Sequence, residues 1–477
     1  VGPVIAGPTP HSTGISESGD AMIMSTDHPA LDTEVISRLH EVVADLGRVG
    51  ALWGPEQLQS NRDAEALAKV VERLRNMYPY GDPRYIGQIL KPPHPVAWAA
   101  YAATALINPN NHALDGGPAT AQMEKEAVEE LARMFGMPRH LGHLTSSGTI
   151  ANLEALYVSR ELQPDGVVLS SEAAHYTHKR MCDLLGVRHE TVAQDGSGRM
   201  DVEALAQRLE KGGVSVVVAT LGTTSLGALD PVHEIVELAR EHGVRVHVDA
   251  AYGGFHTLLA GASPAVDPSP FAALPHVDSI VVDPHKHGLQ PYGCGSVLFA
   301  DPGVGRLYAH DSPYTYFTSD ELHLGEISLE CSRAGASAAA FWATIQALPL
   351  NADGLGRGLR DGRRAALRVA ERLNEDPSVR LVVQPDLDIV CYYPSLSSAS
   401  AVTAASDAVF DSLARDGWHV AKLTVDVSWL NAAGGELQPD ADSVTVLRSC
   451  IMKPEHVEVA DDFADAVIGA FRGVRSP

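Results

Sequence analysis

The chain has 477 residues, 45% of them hydrophobic and 20% charged, which suits a globular protein of two or three lobes. Its formal net charge of −24 argues against nucleic acid or an anionic membrane surface as partner, since both demand a basic face. Cys182, Cys294, Cys331, Cys391 and Cys450 form no Cys-x-x-Cys pair and no apolar run reaches bilayer length, so a reduced, cytoplasmic protein without a membrane span is expected.

Residues 1–30 are rich in Gly, Pro, Ser and Thr, lack the order of a signal peptide, and read as a disordered tail. Helical periodicity covers 31–50 and 63–77. The Pro- and Gly-rich runs at 78–83 and 91–95 cannot be regular helix and must cross a surface or an interface. Residues 31–95 therefore form an N-terminal helical and extended segment. From residue 97, helices alternate with short apolar strands. The helices are 121–135, 150–161, 175–185 and 232–242; the strands are 141–144, 166–170, 214–220, 245–249, 279–282 and 296–300. This alternation implies an α/β fold with a mostly parallel, helix-covered sheet, over a large domain at 96–350 that ends with a helix at 335–348. Helix 358–374, strands 380–383 and 389–393, helix 402–416 and strand 444–450 read as a small α+β domain at 351–477.

Ligands collect at the carboxyl ends of strands in such sheets, and the chemistry-bearing residues of this chain stand there. Lys286 follows strand 279–282 in Asp-Pro-His-Lys-His-Gly, and Asp249 closes strand 245–249 in His-Val-Asp-Ala-Ala-Tyr-Gly-Gly. A lysine and a carboxylate so placed are what pyridoxal phosphate requires: one forms the Schiff base, the other holds the pyridinium proton. The turn at 145–152, Thr-Ser-Ser-Gly-Thr-Ile-Ala-Asn, opens a helix whose free N–H groups suit a phosphate, aided by the Ser147 and Thr149 hydroxyls; an ordinary N-cap would look the same. His175, just past a strand end, could stack on a flat cofactor ring and touch a substrate carboxylate. His178, one helical turn on, reads as a surface or packing residue. Thr223 and Thr224, closing strand 214–220, could hold the phenolic oxygen of the cofactor. No His-Glu-x-x-His or Cys/His cluster of metal-ligand spacing is present.

Together these runs resemble the pyridoxal-dependent amino-acid decarboxylases, the group with aromatic-amino-acid, glutamate and archaeal tyrosine/aspartate decarboxylases and, as a relative, sphingosine-phosphate lyase. The resemblance extends from about 83 to 448. It implies the fold type I of PLP-dependent transferases, with a mostly parallel seven-stranded sheet, and a homodimer with shared active sites into which segment 31–95 packs. It makes Lys286 the Schiff-base lysine and Asp249 the pyridinium partner, with Ala251 on one ring face and His175 on the other. Ser147, Gly148, Thr149 and His285 would bind the phosphate. Asp283 stands where the animal aromatic branch commonly has Asn. Beside a dianionic phosphate a carboxylate is unfavourable, so Asp283 is expected to turn away or cap a backbone group. Tyr314 and Tyr316 lie where the family places a mobile loop with a proton-donating tyrosine, although dimer packing explains them equally. Arg448 resembles a family arginine near the substrate carboxylate. Tyr85 and Gln88 are a candidate substrate wall, open to contribution across the dimer.

The expected reaction is decarboxylation of an L-amino acid to its amine and CO2. A carbon–carbon lyase of the sphingosine-phosphate type would need a basic pocket, and no Lys/Arg cluster stands near these motifs. An aminotransferase or a decarboxylation-coupled oxidative deaminase would share Lys286 and Asp249. A non-enzymatic binding protein would have no need of the lysine.

Overall fold

The computed structural model describes residues 33–48, 61–262, 264, 266–308 and 323–474. The tail at 1–30 and the loop carrying Tyr314 and Tyr316 lie outside the described residues. In chain order the large unit runs α1 (Thr33–Arg48), α2 (Asn61–Leu74), α3 (Pro95–Ala105), α4 (Pro118–Met134), β1 (Leu141–Thr145), α5 (Gly148–Leu162), β2 (Val167–Ser171), α6 (Thr177–Leu185), β3 (His189–Val192) and α7 (Val202–Leu209). It continues through β4 (Val214–Thr220), α8 (Val232–Glu241), β5 (Arg245–Asp249), α9 (Ser269–Ala272), β6 (Ser279–Val282), β7 (Gly295–Phe299) and α10 (Gly335–Ala347). The C-terminal unit comprises α11 (Gly356–Asn374), β8 (Val379–Leu381), β9 (Ile389–Pro394), α12 (Ala399–Arg415), β10 (Ala421–Asp426), α13 (Val427–Ala432), β11 (Ser443–Cys450) and α14 (His456–Gly473).

The large sheet has seven strands in the order β1-β7-β6-β5-β4-β2-β3. β6, β5, β4, β2 and β3 are mutually parallel, and β7 runs antiparallel between β6 and β1. All seven residues of β4 are buried, as expected of a central strand covered on both faces. This is the expected α/β architecture. The second sheet is antiparallel throughout, β10-β11-β9-β8, so the C-terminal unit is α+β. The additional elements include β3, α7, β10, α13 and α14. β3, the sequence His-Glu-Thr-Val, has one fully buried residue and lies at the sheet edge, so its polar composition hid it.

Register aligns the strand ends that matter. Thr220 of β4 pairs with Asp249 of β5, and Asp249 pairs with Val281 of β6. The extended segment after α2 joins the small sheet: Ile86 N–H donates to His419 O and Cys450 N–H to Ile86 O. Lys453, buried, donates from Nζ to the carbonyls of Asp82 (2.7 Å) and Tyr85 (2.8 Å) and so fixes that segment.

Two buried histidines make the fold acid-sensitive. His247 bridges β5 to Ser279 Oγ (2.9 Å) and to Asn152 Oδ1 of α5 (2.8 Å), and burial pushes its pKa down to about 3. Burial also pushes His456 down to about 3. A base depressed in the folded state binds more protons when unfolded, so its stabilisation is complete above pH 6.5 and is lost as pH falls toward 3. Denaturant unfolding is expected to show a loss of about 2 kcal/mol per histidine between pH 6.5 and 5. A flat profile across that window would contradict the assignment.

Candidate active site

A cavity of about 410 Å3 opens between the two sheets, at the carboxyl ends of the parallel strands. His175, Thr224 and Lys286 line it from the large sheet, Phe410, Trp418 and Arg448 from the small unit, and Tyr78, Tyr85 and Gln88 from the extended segment.

Lys286 is held by a turn. Its N–H donates to Asp283 O at 2.9 Å, with Pro284 at the second position, where a fixed φ suits a four-residue turn. Gly288 lets the chain fold back, since a Cβ there would sit 2.7 Å from Pro284 Cα. Lys286 Nζ lies 2.9 Å from Asp283 Oδ2. Burial works against the ammonium charge, but the Asp283 carboxylate outweighs it and raises the pKa. Asp283 thus does not turn away as expected. Its carboxylate is buried against Gly148, where an added Cβ would meet Oδ2 at 2.6 Å, because the lysine offers it a counter-charge there.

Asp249 is buried at the end of β5. Its Oδ1 accepts the Ala251 N–H (3.1 Å), and its Oδ2 is 2.9 Å from His178 Nε2. Burial alone would raise its pKa; the His178 bond, together with Lys286 and His175 nearby, holds it well below the usual carboxylate range. His178 is therefore a buried partner of Asp249, which corrects its reading as a surface or packing residue. Helical spacing could not reveal this, since the partners are 71 positions apart.

His175 Nδ1 accepts from the Thr177 N–H (3.3 Å) and lies 2.7 Å from the Thr177 hydroxyl, which leaves the ring proton on Nε2. Burial lowers the His175 pKa, so the ring is neutral at physiological pH. At α5, the Ser147 Oγ accepts the Ile150 N–H (3.4 Å) as N-cap, and the bare backbone of Gly148 begins the helix. Gly295 of β7 packs on that turn so closely that a Cβ would lie 2.6 Å from Ser147 C. His285 is buried beside it with Nε2 3.6 Å from Asp283 Oδ2, and its Nδ1 has no partner among the described residues.

A model of the pyridoxal-dependent decarboxylase conserved domain matches residues 95–394. The chain belongs to that family. A probable L-tyrosine/L-aspartate decarboxylase of Methanothermobacter thermautotrophicus is 32% identical over 323 residues, 66% of this chain and 84% of that protein. Mouse CSAD shares the fold with a TM-score of 0.73 at 20% identity, covering 93% of this chain and 99% of its own. Oryza sativa TDC, solved with PLP and tryptamine, gives a TM-score of 0.72 at 17% identity, covering 94% and 99%. This decarboxylase is accordingly a fold-type-I pyridoxal-phosphate enzyme, a carboxy-lyase acting on amino acids.

The residues present fit the cofactor. A helix N-terminus, two hydroxyls and a buried imidazole with an unsatisfied Nδ1 suit its phosphate, and an ionised buried carboxylate suits its ring nitrogen. Thr224 lines the cavity, whereas the Thr223 Oγ1 accepts the Ala228 N–H (3.1 Å) inside the turn after β4. Ala251, two residues past Asp249, donates its N–H to it. Tyr85 and Gln88 line the cavity of their own chain. Arg448 is buried, its Nε donating to Ser225 O (3.1 Å), while its Nη2 has no partner among the described residues.

The fold also assembles a cluster that spacing does not reveal. His256, His287 and Asp388 place one possible ligand atom each within 4.8 Å of one another. Asp388 Oδ2 lies 3.4 Å from His287 Nε2 and 3.6 Å from His256 Nε2, and the Tyr252 hydroxyl donates to Oδ1. Lys91 and Arg363 bring their charges to bear on the same carboxylate. Two cations around one buried carboxylate disfavour a divalent ion there.

Proposed function

We propose that Lys286 carries the cofactor, that Asp249 faces its ring nitrogen, and that His175 lies on the ring face with Ala251 opposite. Pyridoxal phosphate, when bound, draws the electrons of the breaking Cα–carboxylate bond into its protonated ring. Asp249 keeps the ring nitrogen protonated, and Ser147, Gly148, Thr149 and His285 hold the phosphate. Thr224, with Thr223 behind it, borders the ring. Arg448 aims Nη2 at the substrate carboxylate, and His175 presents Nε2–H beside it. Tyr314 or Tyr316 returns a proton to Cα. The observation that carries this reading is the meeting of Lys286, His175, Thr224 and Arg448 in one cavity, with ionised Asp249 at the adjoining strand end.

Tyr78, Tyr85, Phe410 and Trp418 give the cavity aromatic walls, and Arg448 is its single arginine among the described residues. One arginine can meet the α-carboxylate but not a second, so a neutral aromatic side chain fits better than an acidic one. The test supplies the holoenzyme with a panel of L-amino acids including tyrosine and aspartate, and measures CO2 and product. Amine with equimolar CO2 is expected, fastest from an aromatic substrate; absence of CO2 from every substrate would sink the reading. Arg448→Met is expected to raise KM about tenfold to a hundredfold with a smaller change in kcat, as loss of a charge-assisted contact requires.

The same reading makes the enzyme a cytoplasmic homodimer with large (96–350) and small (351–477) domains. Leu67, Val70, Val71 and Leu74 form an exposed apolar row on α2, which suits segment 31–95 to packing on a second copy. The five cysteines are free, as a reducing compartment allows. Sedimentation of the holoenzyme at the mass of one chain would count against the dimer.

A further inference from the structure

We infer that His178 is a positioning residue for this reaction, fixing the orientation and the charge of the Asp249 carboxylate that meets the cofactor's ring nitrogen. The inference rests on the placement of Asp249 proposed above.

His178 lies in the first turn of α6 and is wholly buried. Its Nε2 stands 2.9 Å from Asp249 Oδ2, while Oδ1 takes the Ala251 N–H at 3.1 Å. Each carboxylate oxygen thus has one protein donor and retains a lone pair for a ring N–H. Two anchors, one from α6 and one from the chain after β5, fix the plane of the group; the Ala251 bond alone would leave it free to swing. The direction of the proton follows from the chemistry. An ionised carboxylate only accepts, so Nε2 must carry the hydrogen. Nδ1 has no partner among the described residues, and a second proton on it would have no acceptor. The hydrogen on Nε2 is therefore the one that makes the contact.

The His178 N–H also donates to His175 O at 3.2 Å. One short segment thus places the imidazole that lines the cavity and the imidazole that backs the carboxylate. A buried carboxylate that loses a charge-assisted donor is a stronger base, so it would draw the proton away from the ring nitrogen. His178 keeps that proton where the chemistry needs it without itself touching cofactor or substrate.

The test compares His178→Phe, which keeps a planar ring and loses the donor, with His178→Gln, which can restore one. Both are made in the wild-type and Asp249→Asn backgrounds. Cofactor affinity is measured by absorbance titration of the cofactor-free protein, which does not depend on turnover. His178→Phe is expected to weaken affinity about tenfold to a hundredfold, with kcat falling further than KM changes, and His178→Gln to recover part of both. In the Asp249→Asn background the same replacement is expected to change little. Undiminished affinity in His178→Phe, or an equal loss in both backgrounds, would overturn the inference.

If the phenylalanine variant does not fold, imidazole nitrogen spectra of wild-type holoenzyme decide. A protonated Nε2 with a bare Nδ1, assigned by its loss in His178→Gln, is expected; the opposite tautomer refutes the role. Failure of the wild type to release CO2 would strike the decarboxylase reading and leave the affinity cycle standing.

Discussion

Lys286→Ala is expected to lower CO2 release by about three orders of magnitude or more and to remove the long-wavelength absorbance that a lysine-linked cofactor gives. Amine-product assay and absorbance spectra of the same sample check the two together. Residual turnover near the wild-type rate, with the band intact, would mean that another lysine carries the cofactor. The nearby buried lysines are already committed: Lys453 to two carbonyls, Lys91 beside Asp388. The substitution has a second effect that belongs to the fold. Asp283 loses the ammonium 2.9 Å from its Oδ2 and keeps only the weak contact to His285 at 3.6 Å. A buried carboxylate so stranded is expected to cost about 1–3 kcal/mol of stability in the cofactor-free protein. Adding Asp283→Asn to Lys286→Ala should restore most of that stability and none of the activity. That separation would assign the ion pair to the fold and the free amine to the chemistry.

The pair that carries this reading was legible because Asp249 ends one strand and Lys286 stands in the turn after another, both plain in the sequence. β4 and β6 are buried, mostly apolar runs, and β5 alternates its two valines with polar residues, which marks it as a strand. β3 was not legible in that way. It lies at a sheet edge with one buried residue and no apolar run, whereas β10, also an edge strand, alternates Ala-Lys-Leu-Thr-Val-Asp and carried its signal in the chain. α14 is like β10. Ala460, Phe463, Ala464, Val467 and Phe471 follow helical spacing and are buried, so the signal for that helix was present in the chain. At the site, spacing located Lys286, Asp249 and His175, which stand next to strand ends. It did not locate His178, His256, His287 or Asp388, whose meaning depends on partners far away in the chain. A buried polar residue is read from its partner, and only the fold supplies the partner. Asp283 shows the same limit: its lysine was three residues away, but the geometry that turns one toward the other is a property of the turn.

Asp249→Asn is expected to lower kcat by about three orders of magnitude while leaving the cofactor-free fold close to wild type in stability. The amide is nearly the same size; its oxygen can keep the Ala251 N–H, and its NH2 can donate to His178 Nε2 once the imidazole proton sits on Nδ1, so the local packing survives. What it cannot do is hold a positive ring nitrogen. The carboxylate is kept ionised against the effect of burial, and that charge is what a protonated pyridine ring needs opposite it. Without it the ring nitrogen would lose its proton, and the electron-accepting chemistry that the cofactor would supply there would be lost. Cofactor binding should weaken as well, and each tenfold loss of affinity removes about 1.4 kcal/mol of the stabilisation that saturating cofactor confers. Thermal unfolding with and without pyridoxal phosphate, read together with kcat, therefore separates two outcomes. A normal midpoint without cofactor, a smaller rise with it and a collapsed kcat would place the defect in the charge facing the ring. A kcat left near the wild-type value would instead mean that the electron sink is held by some other group, whatever the midpoint without cofactor.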